Sequence, residues 1–199
     1  ARPSEKNRAL LKKMAHPMLK VVWGDMADFA CVKRCVAGSD YVLHIGAMVS
    51  PAADKYPEKT LYTNIGSTLA IIKAIQEQPN ADDIHLVYVG TVAETGDRQY
   101  PVQMGRCGDP INPSIHDYYA ISKVFSEFAV FESGLKHWVS IRQTGQYPTN
   151  EGAGEEPIIF HQPPNNVLEW STSIESGICM ANICESWVPE SFWRKAYNL

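Results

Sequence analysis

Four short runs in the first 145 residues are apolar with little polar alternation: Leu19–Trp23, Tyr41–Ile45, Ile84–Val89 and His137–Ile141. A strand that reads as a continuous β-branched run needs cover on both faces, so these runs predict buried strands of a parallel sheet. Between them apolar residues recur with helical spacing. Residues 4–14 bring Leu10, Leu11 and Met14 together behind a Ser4 cap. Residues 27–37 place Phe29, Val32 and Val36 on one side. Residues 58–78 carry Leu61, Ile65, Leu69, Ile72 and Ile75 at steps of three and four, and residues 117–133 carry Tyr118, Ile121, Val124, Phe125 and Phe128. Strand and helix in alternation imply βαβ units, hence an α/β fold with a doubly wound parallel sheet.

The pattern breaks after residue 147. Residues 148–164 read PTNEGAGEEPIIFHQPP, a composition of loops and crossovers. A strand candidate (Asn166–Trp170), a helix candidate (Ser173–Glu185) and the stretch PESFWRKAY follow. This is too little for an independent core. The chain is therefore divided into a main unit, residues 1–147, and a partial second region, residues 148–199.

Composition narrows the function classes. With 199 residues, 45% hydrophobic and 20% charged, the chain is of globular type. Its 18 basic and 22 acidic residues give a net charge of −4, which argues against nucleic acid as a partner. No run of 18 apolar residues is present, and the N-terminal residues lack a secretory pattern, so no membrane association is expected. The five cysteines show no CxxC spacing, and His16, His85, His116, His137 and His161 show no metal-ligand spacing; no metal is expected. Cys31 and Cys35, one helical turn apart, read as small hydrophobes in a reducing cytoplasm.

The chemistry starts at Tyr119 and Lys123. At i, i+4 on a helix they share a face. An ammonium beside a phenol favours the phenolate, so the spacing predicts a lowered Tyr119 pKa and a usable proton donor or acceptor near neutrality. Tyr118 points elsewhere on the same helix.

Several motifs surround that pair in a definite order: DYVLHIGAMVSP (40–51), TNIGST (63–68), VYVGTVAETGD (87–97), DYYAISK (117–123) and IRQTG (141–145). Together with Gly24-Asp25-Met26-Ala27-Asp28, they resemble the extended short-chain dehydrogenase/reductase family, the NAD-dependent epimerase/dehydratase group. The resemblance covers about residues 15–185 and implies a Rossmann-like fold with NAD or NADP as cofactor and a small-molecule substrate. It casts Thr91, Tyr119, Lys123 and Asn64 as the catalytic set. It casts Asp25 and Met26, the strand end Ile45-Gly46-Ala47, Lys123, and Gln143 with Thr144 as cofactor contacts. Arg2 is a candidate for selecting NADP by pairing with a 2′-phosphate, or is an ordinary solvated residue. Asp25 reads either as an adenine contact or as a helix cap; His44 and Arg142 read as structural. The Gly-rich turn that opens the family's first βαβ unit is not found, so the sheet is expected to be N-terminally truncated and the substrate region partial.

In the mechanism this implies, Lys123 holds the nicotinamide ribose and tunes Tyr119. Tyr119 passes a proton to or from the substrate oxygen, Thr91 holds that oxygen, and Asn64 supports the helix and a proton-relay water. The leading reading is an oxidoreductase acting on a small carbonyl or alcohol. The alternatives are a nucleotide-sugar epimerase or dehydratase, and a non-catalytic dinucleotide sensor of the same fold. A dehydratase needs an acid beside the Ser/Thr, and Glu94 is offset from that place. Substrate choice is assigned to residues 99–114, 146–162 and the C-terminal region. Self-association as a homodimer is expected through helices 58–78 and 117–133, with Ile71 and Phe131 among the exposed apolar positions.

Overall fold

The computed structural model describes residues 1–14, 16–96, 105–147, 149 and 169–199. Four parallel strands form the main sheet in the order β1 (Tyr41–His44), β2 (His85–Thr91), β3 (His137–Gln143) and β6 (Lys195–Asn198). Three are the expected strands. The fourth expected run, Leu19–Trp23, is not a strand. The hydrogen bonds around Val22 and Gly24 go to residue 1 instead of β1, and Leu19 and Val22 are exposed. The strand at the opposite edge comes from the tail, so the end of region 148–199 returns to the main sheet. Two short strands, β4 (Gly145–Tyr147) and β5 (Trp170–Thr172), pair in parallel beside it. Of the expected strand Asn166–Trp170, residues 166–168 lie outside the described residues.

The helices, apart from the single turn Ala52–Lys55, which the periodicity does not mark, fall where the periodicity puts them. They are α1 (Glu5–Lys13), α2 (Phe29–Val36), the single turn α3 (Ala52–Lys55), α4 (Pro57–Gln76), α5 (Tyr118–Phe131) and α6 (Ser173–Ile183). Ser4 caps α1 as its position predicts, accepting from Asn7 N–H. Asp28, not Asp25, caps α2 through Ala30 N–H, while Asp117 caps α5 through Ala120 N–H.

β2 explains why the strands carry no polar alternation. Leu86 and Tyr88 face one side and pack with Val36 of α2, Ile71, Ile72 and Ile75 of α4, and Val130 of α5. Val87 and Val89 face the other side and pack with Met180 and Ile183 of α6 and with Trp193. Both faces are covered, as a parallel sheet requires. Two side chains depart from expectation. Ile71 is buried in the first of these cores, and Phe131 is half-buried with its ring stacked on Trp138. The exposed apolar residues of α4 and α5 are instead Tyr62, Leu69, Phe125 and Phe128. Cys31 is buried, whereas Cys35 is exposed at the next turn. Among the described residues no helix is long and apolar enough to cross a membrane, and no cluster of potential metal ligands forms.

Candidate active site

In an open parallel sheet the strands all end on the same side, and the loops leaving those ends meet there. The register sets His44 of β1 opposite Tyr88 of β2, and Thr91 of β2 opposite Gln143 of β3, so three strand ends converge. Thr91 is the last residue of β2 and the first cap of the following 3-10 turn, Val92–Thr95. Its hydroxyl accepts from Ala93 N–H at 3.2 Å, and its own N–H donates to Glu94 Oε1 at 3.0 Å. The turn closes at Gly96, whose φ is 69° and where any Cβ would lie 2.0 Å from Asn112 O, so only glycine fits.

Helix α5 runs past this strand end and brings Tyr119 into the neighbourhood of the Thr91 side chain, close enough for the hydroxyl to act on the titration of the phenol. Burial raises the Tyr119 pKa; the Thr91 side chain opposes the rise, and Glu94, when ionised, and Asp117 add to it. The direction is the reverse of the one the Tyr–Lys spacing predicts. The reason is where Lys123 goes. Its ammonium donates to the main-chain carbonyl of Val89 and lies 4.2 Å from the centre of the Tyr88 ring. Buried there, it is pushed down to about 8 by desolvation, with Glu94 and Glu127 acting to hold its proton. Tyr119 is therefore a neutral phenol in this arrangement, ready to donate a proton.

Asn64 of α4 acts as a clamp. Its carbonyl oxygen accepts from Met48 N–H at 2.7 Å, and its amide donates to Met48 O at 3.0 Å and to Ser122 Oγ at 2.8 Å. Ser122 in turn donates to Tyr119 O at 2.7 Å. Asn64 thus ties the loop after β1 to the turn of α5 that carries Tyr119, and Ser122 is a site-supporting residue that the motif reading passed over. His44 bonds Thr68 Oγ1 at 3.0 Å and is driven down to about 3 by burial and by the Lys123 charge, so it is neutral and structural, as expected.

The expected cofactor contacts divide by location. Met26 and Gly46 touch: a Cβ on Gly46 would meet Met26 Sδ at 3.1 Å. Asp25 is exposed, its carboxylate bound only locally to Ala27 N–H at 2.9 Å, and Ile45 and Gly46 are exposed beside it. An apolar pair, an open glycine backbone and an exposed carboxylate fit the adenosine part of a dinucleotide: a flat ring to cover and ribose or amino donors to accept from. Thr144 N–H donates to Leu199 O at 2.9 Å, which pins the loop after β3, and Gln143 is half-buried at the same strand end. Arg2 is exposed, its carbonyl accepting from Asn7. Of the substrate-loop residues, 99–104, 148 and 150–162 lie outside the described residues.

The arrangement missed by motif reading is beneath Thr91. Arg142 of β3 makes a two-point pair with Glu127 of α5, at 2.9 and 2.6 Å, and Ser140 donates to the same carboxylate at 2.6 Å. Glu94 is adjacent, fully buried, 3.5 Å from Arg142 Nε. Two signals were available: Glu127 follows Lys123 at i, i+4, and Arg142 is a permanent charge directly after the buried strand run His137–Ile141.

The NAD dependent epimerase/dehydratase family model matches residues 1–169. The chain belongs to that family. A comparison with curated proteins found no match. Among solved structures of the fold, the Bordetella bronchiseptica enzyme WbmH in complex with NAD+ is 28% identical. It matches 67% of this chain and 43% of its own length, with a TM-score of 0.56. DesIV, the dTDP-glucose 4,6-dehydratase of Streptomyces venezuelae with NAD bound, is 20% identical over 96% of this chain and 62% of its own, with a TM-score of 0.77. The UDP-glucose 4-epimerase of Bifidobacterium longum in complex with NAD+ and UDP is 16% identical over 98% and 67%, with a TM-score of 0.74. The family member described here thus spans between 43% and 67% of the length of these structures. The last two likenesses establish the fold, a Rossmann-like parallel sheet, in agreement with the strand and motif order.

Proposed function

We propose that this chain carries the hydride-transfer site of an NAD-dependent enzyme acting on a secondary alcohol or carbonyl of a nucleotide sugar. The observation that carries it is the convergence of Thr91, at the end of β2, with Tyr119 near the start of α5 and Lys123 one turn further along the same helix. NAD, when bound, takes or returns a hydride at its nicotinamide ring. The neutral Tyr119 phenol donates its proton to the substrate oxygen in the reducing direction and recovers it in the oxidising direction. Thr91 fixes that oxygen in line. Lys123 is the candidate to hold the nicotinamide ribose, because its ammonium has two further N–H donors beyond the one given to the Val89 carbonyl. Asp25, Met26, Ile45, Gly46 and Ala47 take the adenosine side, and Gln143 and Thr144 the nicotinamide side; Arg2 is the candidate that would favour NADP.

Support for a nucleotide sugar over a small carbonyl comes from the NAD-bound epimerase and dehydratase structures that share the fold. Within that class an epimerase is favoured over a dehydratase. Val92 and Ala93, which follow Thr91, carry no acid, and Glu94 is turned into the core. Residues 1–147 form the cofactor part in this reading and 148–199 the substrate part, with β6 returned to the sheet. The five free cysteines suit a cytoplasmic setting. In the whole protein, Tyr119→Phe should lower turnover by roughly 10²–10⁴-fold with little change in NAD binding. Lys123→Met should damage both, and Tyr118→Phe should be nearly silent in turnover. Equal behaviour of the two tyrosine variants would overturn the assignment.

A further inference from the structure

Glu94 has no place in the mechanism above, yet it is built into the site. The 3-10 turn folds its carboxyl back under Thr91, where Oε1 accepts from Thr91 N–H at 3.0 Å. The space it fills exists because residue 90 is glycine: a Cβ there would lie 2.9 Å from Glu94 Oε1 and 3.1 Å from Ser140 Oγ. The carboxyl is fully buried, and its second oxygen has no hydrogen-bond partner, with Arg142 Nε 3.5 Å away. The cation is already committed. Arg142 Nε and Nη2 both donate to Glu127, and Nη1 donates to Cys107 O at 3.3 Å. Two buried carboxyl groups therefore share one guanidinium. Other groups act on the pair from the packed elements: Lys123 and Tyr119 of α5, Tyr88 of β2, and Ser140 of β3, which donates to Glu127.

We propose that Glu94 is a positioning residue that shares one proton with Glu127 behind Thr91, fixing the Thr91 backbone and limiting the negative charge presented to Lys123. Glu127, with three charge-assisted or hydroxyl donors, keeps the carboxylate form; Glu94, with a single backbone donor, keeps the proton and directs its O–H at Glu127. That satisfies the otherwise orphaned oxygen, which as a carboxylate would be left unpaired in the interior. Two interacting carboxyls at one cation titrate as a unit. Burial and the Glu127 charge raise Glu94 to about 8, in keeping with this arrangement. The effect on Lys123 rests on the functional reading above; the shared proton does not.

The test is an infrared titration of the whole protein, free of cofactor, following the C=O stretch of a protonated carboxylic acid. The band should persist at neutral pH, where exposed carboxyls are ionised, and fade as the pH passes about 8. Glu94→Gln should lack the band while keeping the fold, since its amide accepts from Thr91 and donates to Glu127. Glu127→Gln should lack it too, because Glu94 then has Arg142 to itself and ionises; this variant and the wild type decide the matter if Glu94→Gln does not fold. A wild type with no such band at neutral pH, or a band that survives either substitution, overturns the proposal. Failure of Tyr119→Phe to slow turnover would refute the functional reading and leave the infrared result standing.

Discussion

Arg142 is the most consequential side chain beneath the site, and removing it gives a prediction whose size follows from the structure. Arg142→Met keeps most of the aliphatic volume and deletes a buried cation that holds Glu127 at two points and stands 3.5 Å from Glu94. Glu127 is then a buried carboxylate with Ser140 as its remaining donor on β3. Left ionised, it is an uncompensated charge, a defect that costs about 3–5 kcal/mol. Its escape is to take a proton. At pH 7, neutralising a carboxyl whose unfolded pKa is near 4.3 costs about 1.4 kcal/mol for each intervening pH unit, so about 4 kcal/mol. The two routes agree, and the loss is a large fraction of the ~5–15 kcal/mol that holds a domain together. The sign with pH is fixed as well. In the variant, Glu127 binds its proton more tightly folded than unfolded, so the variant loses stability relative to wild type as pH rises from about 5 to about 7. The assay is urea unfolding followed by tryptophan fluorescence, since Trp138 lies on the same strand. A loss under about 1 kcal/mol at pH 7, or a gap that does not widen with pH, would refute the claim that this charge network is dry and interdependent.

Two further outcomes follow from other parts of the molecule. The exposed apolar residues of α4 and α5 should mediate self-association, so Leu69→Asp combined with Phe125→Asp should shift a sedimenting dimer toward monomer, whereas a wild type that stays monomeric at high micromolar concentration would end that idea. His44, held neutral with a pKa of about 3, should make the fold acid-sensitive: the unfolded chain takes up a proton below about 6.5 and the folded one does not, so stability falls by up to about 1.4 kcal/mol per pH unit as pH drops. His44→Gln, which can still bond Thr68, should flatten the acid limb of a thermal-midpoint profile; superimposable profiles would count against a buried neutral imidazole.

Periodicity in the sequence determined most of the scaffold. The helices α2, α4, α5 and α6 and the strands β1, β2 and β3 lie within a few residues of where apolar spacing puts them, because one face of each helix and both faces of each strand must be buried wherever they end up. The order of the motifs was also enough to indicate the family. Tertiary structure decided what local pattern cannot. Leu19–Trp23 has strand composition but no ladder partner, while Lys195–Asn198 has a polar, unremarkable composition and gains one from β3; pairing belongs to the partner as much as to the segment. Ile71 reads as a candidate contact surface from its helix alone, and only the meeting of α4 with the sheet buries it. The titration of the site was decided in the same way. Spacing along one helix sets Lys123 beside Tyr119, but burial and the Val89 carbonyl draw the ammonium inward, and the phenol keeps its proton. Glu94, Glu127 and Arg142 are scattered over 49 positions of sequence and form one group only because β2, α5 and β3 pack there. In a buried site the energy of a charge depends on what else is buried with it, and that is a property of the packed elements rather than of any one of them.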